Sequence, residues 1–357
     1  MSTAGGTLSG MSLVRPVRCG IVPPYLLENI ARRGSQTQRE AATRALALDR
    51  VHRQARAAGR PAVTVTLPGE EGPRRTVSSA GGTTRLPGDV VRAEGDPPTG
   101  DDATDEGYDG LGATYDLYLA AYDRHSVDDA GLPLPATVHY GRDYDNAFWD
   151  GQRMVFGDGD GELFNRFTIA VDVIGHELTH AVTEATAGLT YSGQSGALNE
   201  SVSDVFGSLV KQRTLGQQAT EADWLIGAGL FTEAVQGDAL RSMRAPGTAY
   251  DDDVLGRDPQ PAHLRDYVET TEDNGGVHIN SGIPNHAFYL AATALGGSAW
   301  EVTGRIWYDT LVSGGLPADA DFATFAAATV TAAQTAFGAE PAQAVRSAWD
   351  AVGVTGG

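Results

Sequence analysis

The chain has 357 residues, enough for two or three structural units with a sizeable core. Its single cysteine excludes an intramolecular disulfide, and no apolar run reaches the length of a membrane span. Residues 1–60 carry ten Arg and three acidic residues, net +7, whereas the remainder carries 16 basic and 43 acidic residues, net −27. A basic leader on an acidic body indicates docking within the chain rather than binding of nucleic acid, since Tyr25 is the leader's only aromatic residue.

The leader, residues 1–60, has a predicted organisation of its own. Residues 21–27 are apolar and stiffened by two prolines, which indicates a strand-like piece. Ser35 can cap a helix that runs to about residue 57, before Gly59 and Pro61. Residues 61–105 are rich in turn formers and are typical of a flexible join or a β-hairpin that starts the mature chain. Residues 1–20 lack the apolar core of a signal peptide.

The body of the chain divides into an α+β half and an α half. Residues 106–188 mix short β-prone runs, at 137–140 and 154–156, with predicted helices at 110–124 and 167–182. Residues 189–357 are mainly helical in pattern, at 198–210, 281–296, 300–313, 320–336 and 340–352. The glycine-rich run 157–161 lacks the acidic twelfth residue of a calcium-binding loop and is predicted to be a tight turn. We therefore expect a cleft between the halves, at the helix 167–182.

A metal-binding pattern lies on that helix. His176 and His180 are four residues apart, so both rings lie on one helix face and can bind one ion. Glu177 stands beside them, where a carboxylate can act as base on a bound water. A catalytic zinc ion takes three protein ligands and leaves a fourth position open. Glu200, on the next predicted helix, supplies the third ligand.

Two further polar residues on that second helix can support the ligand histidines. Asp204 lies one turn after Glu200 and can accept a hydrogen bond from one ring, and Asn199 can do the same for the other. The simpler alternatives are a buried helix with two hydrogen-bonded histidines and an acidic face turned to solvent. The polar run Asn199-Glu200-Ser201 is unlike a core stripe, which favours the metal site.

Four separated motifs resemble one family of enzymes. HELTHAVT at 176–183, NESVSDVFG at 199–207, NAFWDGQ at 146–152 and DNGGVHINSG at 273–282 are similar to the thermolysin family of zinc metallopeptidases. VPPYLL at 22–27 and YDGLGATYDLY at 108–118 resemble its protealysin-like branch, whose members have a short propeptide. The resemblance implies a neutral endopeptidase with a thermolysin-like α+β fold, with one zinc ion bound by His176, His180 and Glu200.

The resemblance also assigns roles to residues outside the zinc site. Glu177 would be the general base, while His278, oriented by Asp273, and Tyr191 would hold the oxyanion. Asn146 and the Ala147 carbonyl would align the substrate backbone, and Arg241 would bind the carbonyl on the leaving-group side. A primary specificity pocket that favours a bulky apolar residue just after the cut bond would be lined by Phe164, Phe167, Val173, Ile226, Leu230 and Leu240.

Calcium binding is expected to differ from that of the family. The double calcium site of thermolysin-like enzymes uses five carboxylates, of which Asp172 and Asp223 remain here. Lys211, Leu225 and Ala228 stand at the other three positions. We predict that Lys211 pairs with Asp172, Asp223 or both and that the double site is lost. A weaker calcium site at the surface, near Thr232 and Asp238, remains an alternative.

The leader is predicted to be an inhibitory propeptide that acts in cis and is cut within residues 57–75. Cys19 lies four residues before Pro23, and its thiolate could occupy the open zinc position of the precursor. The favoured alternative is a cysteine that packs against apolar surface. Replacing Cys19 with Ser should speed activation of the precursor only if the thiol binds zinc.

The remaining expectations concern partners and location. The family implies protein and peptide substrates, a monomer, no membrane association and secretion, although the missing signal peptide keeps a cytoplasmic location open. Two other classes of function remain. A non-catalytic binding module would have no need of Glu177 and His278, whereas a metal amidase for small substrates would share the same chemistry. Casein hydrolysis that is lost on chelation and on Glu177→Gln would separate the three.

Overall fold

The computed structural model describes residues 20–57 and 72–355. Its helices are α1 (Pro24–Arg33), α2 (Gln36–Ala57), α3 (Asp102–Tyr122), α4 (Val171–Ala185), α5 (Gly193–Leu215), α6 (Asp273–Asn280), α7 (Gly282–Leu295), α8 (Thr303–Val312), α9 (Phe322–Phe337) and α10 (Ala339–Ala351). Its strands are β1 (Arg75–Ser79), β2 (Asp89–Ala93), β3 (Leu134–Val138), β4 (Ala147–Trp149), β5 (Met154–Phe156), β6 (Leu225–Ile226), β7 (Arg241–Ser242), β8 (Asp251–Asp252) and β9 (Gly256–Arg257). No helix in the described ranges is long and apolar enough to cross a bilayer.

Five strands form one mixed sheet in the first half of the body. Their order is β2-β1-β3-β5-β4, with β1, β3 and β5 parallel and the two outer strands antiparallel to their neighbours. The composition of residues 61–105 is compatible with a flexible join or a β-hairpin, and the structure has a hairpin formed by β1 and β2. β4 is an edge strand of this sheet, so its outer backbone groups are available to an extended segment.

The first helices of the body pack on the sheet, and the later helices pack on one another. α3 packs on β1 and β3, α4 packs on β4, and α4 and α5 pack against each other. Beyond them α7, α8, α9 and α10 pack together around stacked Trp307 and Trp349. The fold is therefore the predicted α+β fold of thermolysin-like type, with an α/β first half and a mainly helical second half. α4 joins the two halves.

The leader differs from its prediction in one respect. Pro23 is extended and α1 begins at Pro24, so the strand-like prediction for residues 21–27 is wrong from Pro24 onward. The first turn of a helix accepts proline because its N–H groups have no partner within the helix. α2 confirms the predicted helix, and the Ser35 hydroxyl accepts the Gln38 N–H at its start. Cys19 and residues 58–71, which include most of the predicted cut window, lie outside the described residues.

α3 begins eight residues earlier than the predicted start at residue 110. The Asp101 carboxylate accepts the Thr104 N–H and caps the helix at its N-terminus. Glycines within the helix weaken the sequence signal, but they let it approach α4. A Cβ at Gly110 would lie 2.3 Å from Cδ1 of Ile174. Close packing of α3 on α4 therefore outweighs the low helix propensity of glycine.

Lys211 lies where the predicted calcium replacement requires it. Its ammonium is 2.9 Å from Asp172 and 2.9 Å from Asp223, and it donates to the Leu225 carbonyl at 2.6 Å. Burial lowers the pKa of Lys211, but the two carboxylates outweigh this effect and raise the pKa overall. The predicted pairing of Lys211 with Asp172, Asp223 or both is confirmed, and both carboxylates are in contact with it.

We predict that Lys211→Met destabilises the chain by about 3 kcal/mol, because buried Asp172 then loses its cation. Urea unfolding of both proteins measures the difference. Millimolar calcium should leave the melting temperature of the unsubstituted chain nearly unchanged, since the ammonium occupies the space between the carboxylates. Strong calcium stabilisation that depends on Asp172 would contradict the replacement of calcium by lysine.

His139 forms a second charged contact, between the N-cap of α3 and the segment at residues 157–161. Its Nδ1 is 2.9 Å from an Asp158 oxygen and its Nε2 is 3.2 Å from Asp101. Only an imidazolium can donate to a carboxylate from both nitrogens. Burial lowers the pKa of His139, but Asp158 and Asp101 outweigh it and raise the pKa overall.

Because the folded-state pKa is raised, this contact stabilises the fold fully below the unfolded pKa of about 6.5 and less as the pH rises through the folded value. We expect His139→Gln to destabilise the chain at pH 6 by about 0.5 kcal/mol, a small effect since the ring is 28 % exposed. The difference should shrink at pH 9. Equal differences at both pH values, measured by urea unfolding, would show that the charge of His139 is not involved.

Candidate metal centre

Three buried side chains from two adjacent helices converge on one point. His176 and His180 lie on α4 and Glu200 lies on α5. The two Nε2 atoms are 3.1 Å apart, and each is 3.5 Å from an oxygen of Glu200. One ligand atom from each of the three residues lies within 4.8 Å of the other two. The predicted ligand set is therefore brought together by the fold.

The donor set and its geometry fit a zinc ion. Ligand atoms about 2.0 Å from a tetrahedral ion are about 3.3 Å from one another, close to the separations found here. The Nδ1 of His176 is 2.8 Å from Asp204 and the Nδ1 of His180 is 2.8 Å from Asn199. Each Nδ1–H can thus donate, which would leave the Nε2 lone pairs free to bind a zinc ion. Oε2 of Glu200 is buried and accepts no hydrogen bond from the residues that the structure describes.

A close helix crossing brings Glu200 to the histidines. A Cβ at Gly207 would lie 2.3 Å from the Asp172 carbonyl, and one at Gly175 would lie 3.0 Å from Cα of Gly207. Gly207 therefore requires glycine and Gly175 leaves little room for a side chain, so the backbones of α4 and α5 are in close contact. The buried side chains of His176, His180 and Glu200 can therefore reach one ion from the two helices.

Asp204 is the acceptor at the centre of a buried network. Besides His176, its carboxylate accepts Nε and Nη2 of Arg241 at 2.8 Å each and Nδ2 of Asn285 at 2.8 Å. Burial raises the pKa of Asp204, but Arg241 and His176 outweigh it and hold the pKa well below its usual range. The carboxylate is therefore ionised, and it links a metal ligand to the arginine of the cleft.

His278 is held by a tight left-handed turn. Asp273, Asn274, Gly275 and Gly276 all have positive φ, and this turn lets Asp273 accept both the backbone N–H of His278 and its Nδ1. Nε2 of His278 lies 3.6 Å from Oε2 of Glu200, and Tyr191 donates to Glu200 Oε1. Burial lowers the pKa of His278, but the Asp273 and Glu200 carboxylates outweigh it and raise the pKa.

The leader backbone lies along the edge strand β4. The Ile21 N–H donates to the Ala147 carbonyl at 3.0 Å, and the Val22 N–H donates to the Asn146 side-chain oxygen at 3.0 Å. Nη1 of Arg241 donates to the Ile21 carbonyl at 3.2 Å. Asn146, Ala147 and Arg241, the residues that the family resemblance assigns to substrate backbone, thus all bind the leader.

The remaining predicted residues are buried in the protein core. Glu177 is buried on α4, and its Oε2 accepts the Trp149 N–H from β4 at 3.1 Å. Phe164 and Phe167 have ring centroids 5.7 Å apart. All six predicted pocket residues are fully buried or nearly so, with Val173, Ile226, Leu230 and Leu240 completing the set.

Sequence reasoning missed two residues of the centre. Ser203 Oγ lies 3.1 Å from Nδ1 of His180, and Asn285 donates to Asp204 as described above. Ser203 lies directly before Asp204 on α5, a signal that could have identified it. Asn285 lies on α7, far along the chain from its partner, and carries no local signal.

Comparisons with known proteins agree with this geometry. A family model for the thermolysin metallopeptidase catalytic domain matches residues 90–184, and one for the alpha-helical domain matches residues 187–354. The chain is 55% identical to an extracellular metalloprotease of Pectobacterium carotovorum subsp. carotovorum over 95% of this chain and 97% of that protein. It is 47% identical to Protease PrtS of Photorhabdus sp. over 94% and 92%.

A solved structure, the precursor of protealysin from Serratia proteamaculans, is 56% identical and superposes with a TM-score of 0.88. The match covers 94% of this chain and all of that one. The chain belongs to the thermolysin family of metallopeptidases and resembles its protealysin-like members. It is therefore a metallopeptidase, and its possible metal site is formed by His176, His180 and Glu200.

Proposed function

We propose that the chain is the latent precursor of a neutral zinc endopeptidase that cuts on the amino side of bulky apolar residues. The observation that carries this proposal is the leader backbone bound by Ala147, Asn146 and Arg241 beside the three metal ligands. A segment held through its backbone in an enzyme cleft excludes other peptides. Residues 1 to about 60 would be the inhibitory leader, and residues 106–188 and 189–357 the two subdomains.

The catalytic roles follow from the positions of the side chains. A zinc ion bound by His176, His180 and Glu200 supplies Lewis-acid chemistry and makes water more acidic. Glu177 takes the proton of the attacking water and returns it to the leaving nitrogen. His278, with its pKa raised and its ring held by Asp273, donates to the developing oxyanion together with Tyr191. Arg241 and Asn146 hold the leaving-group side.

The preference for a bulky apolar residue has its support in the leader. Ile21, whose carbonyl Arg241 binds, is 0 % exposed. Its position corresponds to the first residue after a cut bond if Arg241 binds the carbonyl on the leaving-group side. The buried aromatic and aliphatic residues predicted to line the pocket, Phe164 and Leu240 among them, would favour such a side chain.

Other properties are proposed on coarser grounds. Secretion is proposed since a close relative is named an extracellular metalloprotease. Protein or peptide substrates and a monomer are proposed from the family and from a cleft built within one chain. A weak calcium site near Thr232 and Asp238 and a zinc-binding role for Cys19 stay predictions.

Casein hydrolysis after removal of the leader by added trypsin tests the proposal. We expect activity that is lost on chelation, restored by zinc and directed at bonds before Leu, Ile or Phe in mass-mapped products. Exclusive hydrolysis of small amides would favour the amidase. Zinc binding without any hydrolysis would favour the non-catalytic binding module.

A further inference from the structure

We propose that the bond between Gly20 and Ile21 is a cleavage site, cut in place by the active site of the same chain. This proposal rests on the proposed function and goes beyond it, because the expected removal of the leader occurs elsewhere, within residues 57–75. The cut would separate residues 1–20 from a leader remnant that begins at Ile21.

The register of the leader identifies the bond. Three groups of the cleft bind successive polar groups of the leader backbone. Ala147 accepts the Ile21 N–H, Arg241 donates to the Ile21 carbonyl and Asn146 accepts the Val22 N–H. If Arg241 marks the leaving-group side, Ile21 is the first residue after the reacting bond. Gly20 is then the residue that supplies the reacting carbonyl.

The strand that pairs with Gly20 also binds the general base. Gly20 pairs with Phe148 in an antiparallel β-bridge. The neighbouring residue of β4, Trp149, donates its N–H to Glu177 at 3.1 Å. The strand that aligns Gly20 therefore also holds the carboxylate that acts on water. An extended peptide along β4 in this direction is bound as a substrate would be.

Gly20 allows the close approach that this register requires. A Cβ at this position would lie 2.4 Å from Nδ2 of Asn146 and 2.6 Å from its Cγ. Ile21 meets the expected preference for a bulky apolar residue after the bond, and it is fully buried. Both residues at the bond thus fit the cleft.

The reaction is an ordinary hydrolysis. Glu177 removes a proton from water, and the oxygen of that water adds to the Gly20 carbonyl carbon. The carbon–nitrogen bond to Ile21 then breaks, and the proton passes from Glu177 to the Ile21 nitrogen. The products are a carboxylate on Gly20 and an amino group on Ile21, with no reactant other than water.

The remnant would stay bound after the cut. Leu26, Leu27 and Ile30 of α1 are buried in the core, and Nδ2 of Asn29 donates to the Leu255 carbonyl at 2.8 Å. These contacts lie on the C-terminal side of the bond and do not depend on residues 1–20. The nicked chain is therefore expected to remain latent until the second cut.

Intact-mass measurement of the full chain after zinc loading tests the proposal. We expect conversion to a chain that begins at Ile21, at a rate independent of protein concentration, and no conversion for Glu177→Gln. Ile21→Gly should slow the cut by about tenfold or more, because the pocket loses its side chain. Glu28→Ala, an exposed leader position, is the matched control and should leave the rate unchanged.

Hydrogen exchange of the full-length Glu177→Gln chain tests how leader residues 20–22 are aligned on β4 in a protein that cannot cut itself. A peptide covering residues 20–25 has exchangeable amides at Ile21, Val22 and Tyr25, since residues 23 and 24 are prolines, and those of Ile21 and Val22 report on the register. We expect slow exchange of these amides, and faster exchange when Gly20→Ala is added.

Three results would overturn the proposal. The first is a zinc-loaded chain that keeps residues 1–20 when it is left untreated, although the same chain digests casein after trypsin has removed its leader. The second is a cut whose rate rises with protein concentration. The third is rapid exchange of the Ile21 and Val22 amides. A chain that shows slow exchange but never digests casein would reject catalysis, and with it both this cut and the proposed function.

Discussion

Glu177→Gln is expected to lower peptide hydrolysis by about 1000-fold or more and to leave zinc binding and folding intact. The amide cannot accept the proton of the attacking water, whereas the three metal ligands are unchanged. The side chain is buried beside the metal site and keeps nearly the same size, so the packing of α4 is preserved. Casein hydrolysis after leader removal and the zinc content of the same sample measure both quantities.

Glu301→Gln is a matched control for this prediction, since Glu301 is exposed and outside the cleft. It should keep full activity and full zinc content. A Glu177→Gln protein that retained more than about a tenth of the activity would show that another group takes the proton. Loss of zinc from the same protein would instead show that Glu177 holds the metal.

Asp204→Ala is expected to have the largest effect on stability, about 3–5 kcal/mol. It leaves the guanidinium of Arg241, which is 1 % exposed, without its carboxylate in the interior. It also removes the acceptor of the His176 Nδ1–H, so zinc affinity should fall by about 10- to 100-fold. Urea unfolding and competition with a zinc chelator give the two quantities.

Asp309→Ala provides a contrast at the surface. Asp309 accepts Nε of Arg305 at 2.7 Å, but both side chains are partly exposed, so its removal should cost about 0.5 kcal/mol and leave zinc affinity unchanged. Equal destabilisation by Asp204→Ala and Asp309→Ala would contradict the claim that Asp204 compensates the buried charge of Arg241. Unchanged zinc affinity in Asp204→Ala would separate it from the metal site.

Local periodicity was sufficient to predict the helices that carry the metal ligands. The four-residue spacing of His176 and His180 and the apolar face of α4 both follow from helix geometry. The partners Asp204 and Asn199 could be predicted because they lie one turn after and one residue before Glu200, on the same helix. The pairing of Lys211 could be predicted because the family resemblance places Lys211, Asp172 and Asp223 at positions of one calcium site, where a lysine supplies positive charge in place of the metal.

Contacts between distant parts of the chain could not be predicted in the same way. Prolines at 23 and 24 are compatible both with an extended piece and with the start of a helix, and α1 begins at Pro24. Asn285 meets Asp204 only after α7 has packed on α5, and nothing near it in the chain indicates this contact. The register of Gly20 and Ile21 on β4 depends on how the edge strand and Arg241 meet in space.

X-ray absorption at the zinc edge of the full-length chain tests most directly whether His176, His180 and Glu200 share one ion. We expect one zinc ion per chain with two imidazole nitrogens at about 2.0 Å, and loss of one imidazole contribution in either His176→Ala or His180→Ala. Zinc bound by fewer than two imidazoles, or an unchanged spectrum in those two variants, would contradict the proposed centre.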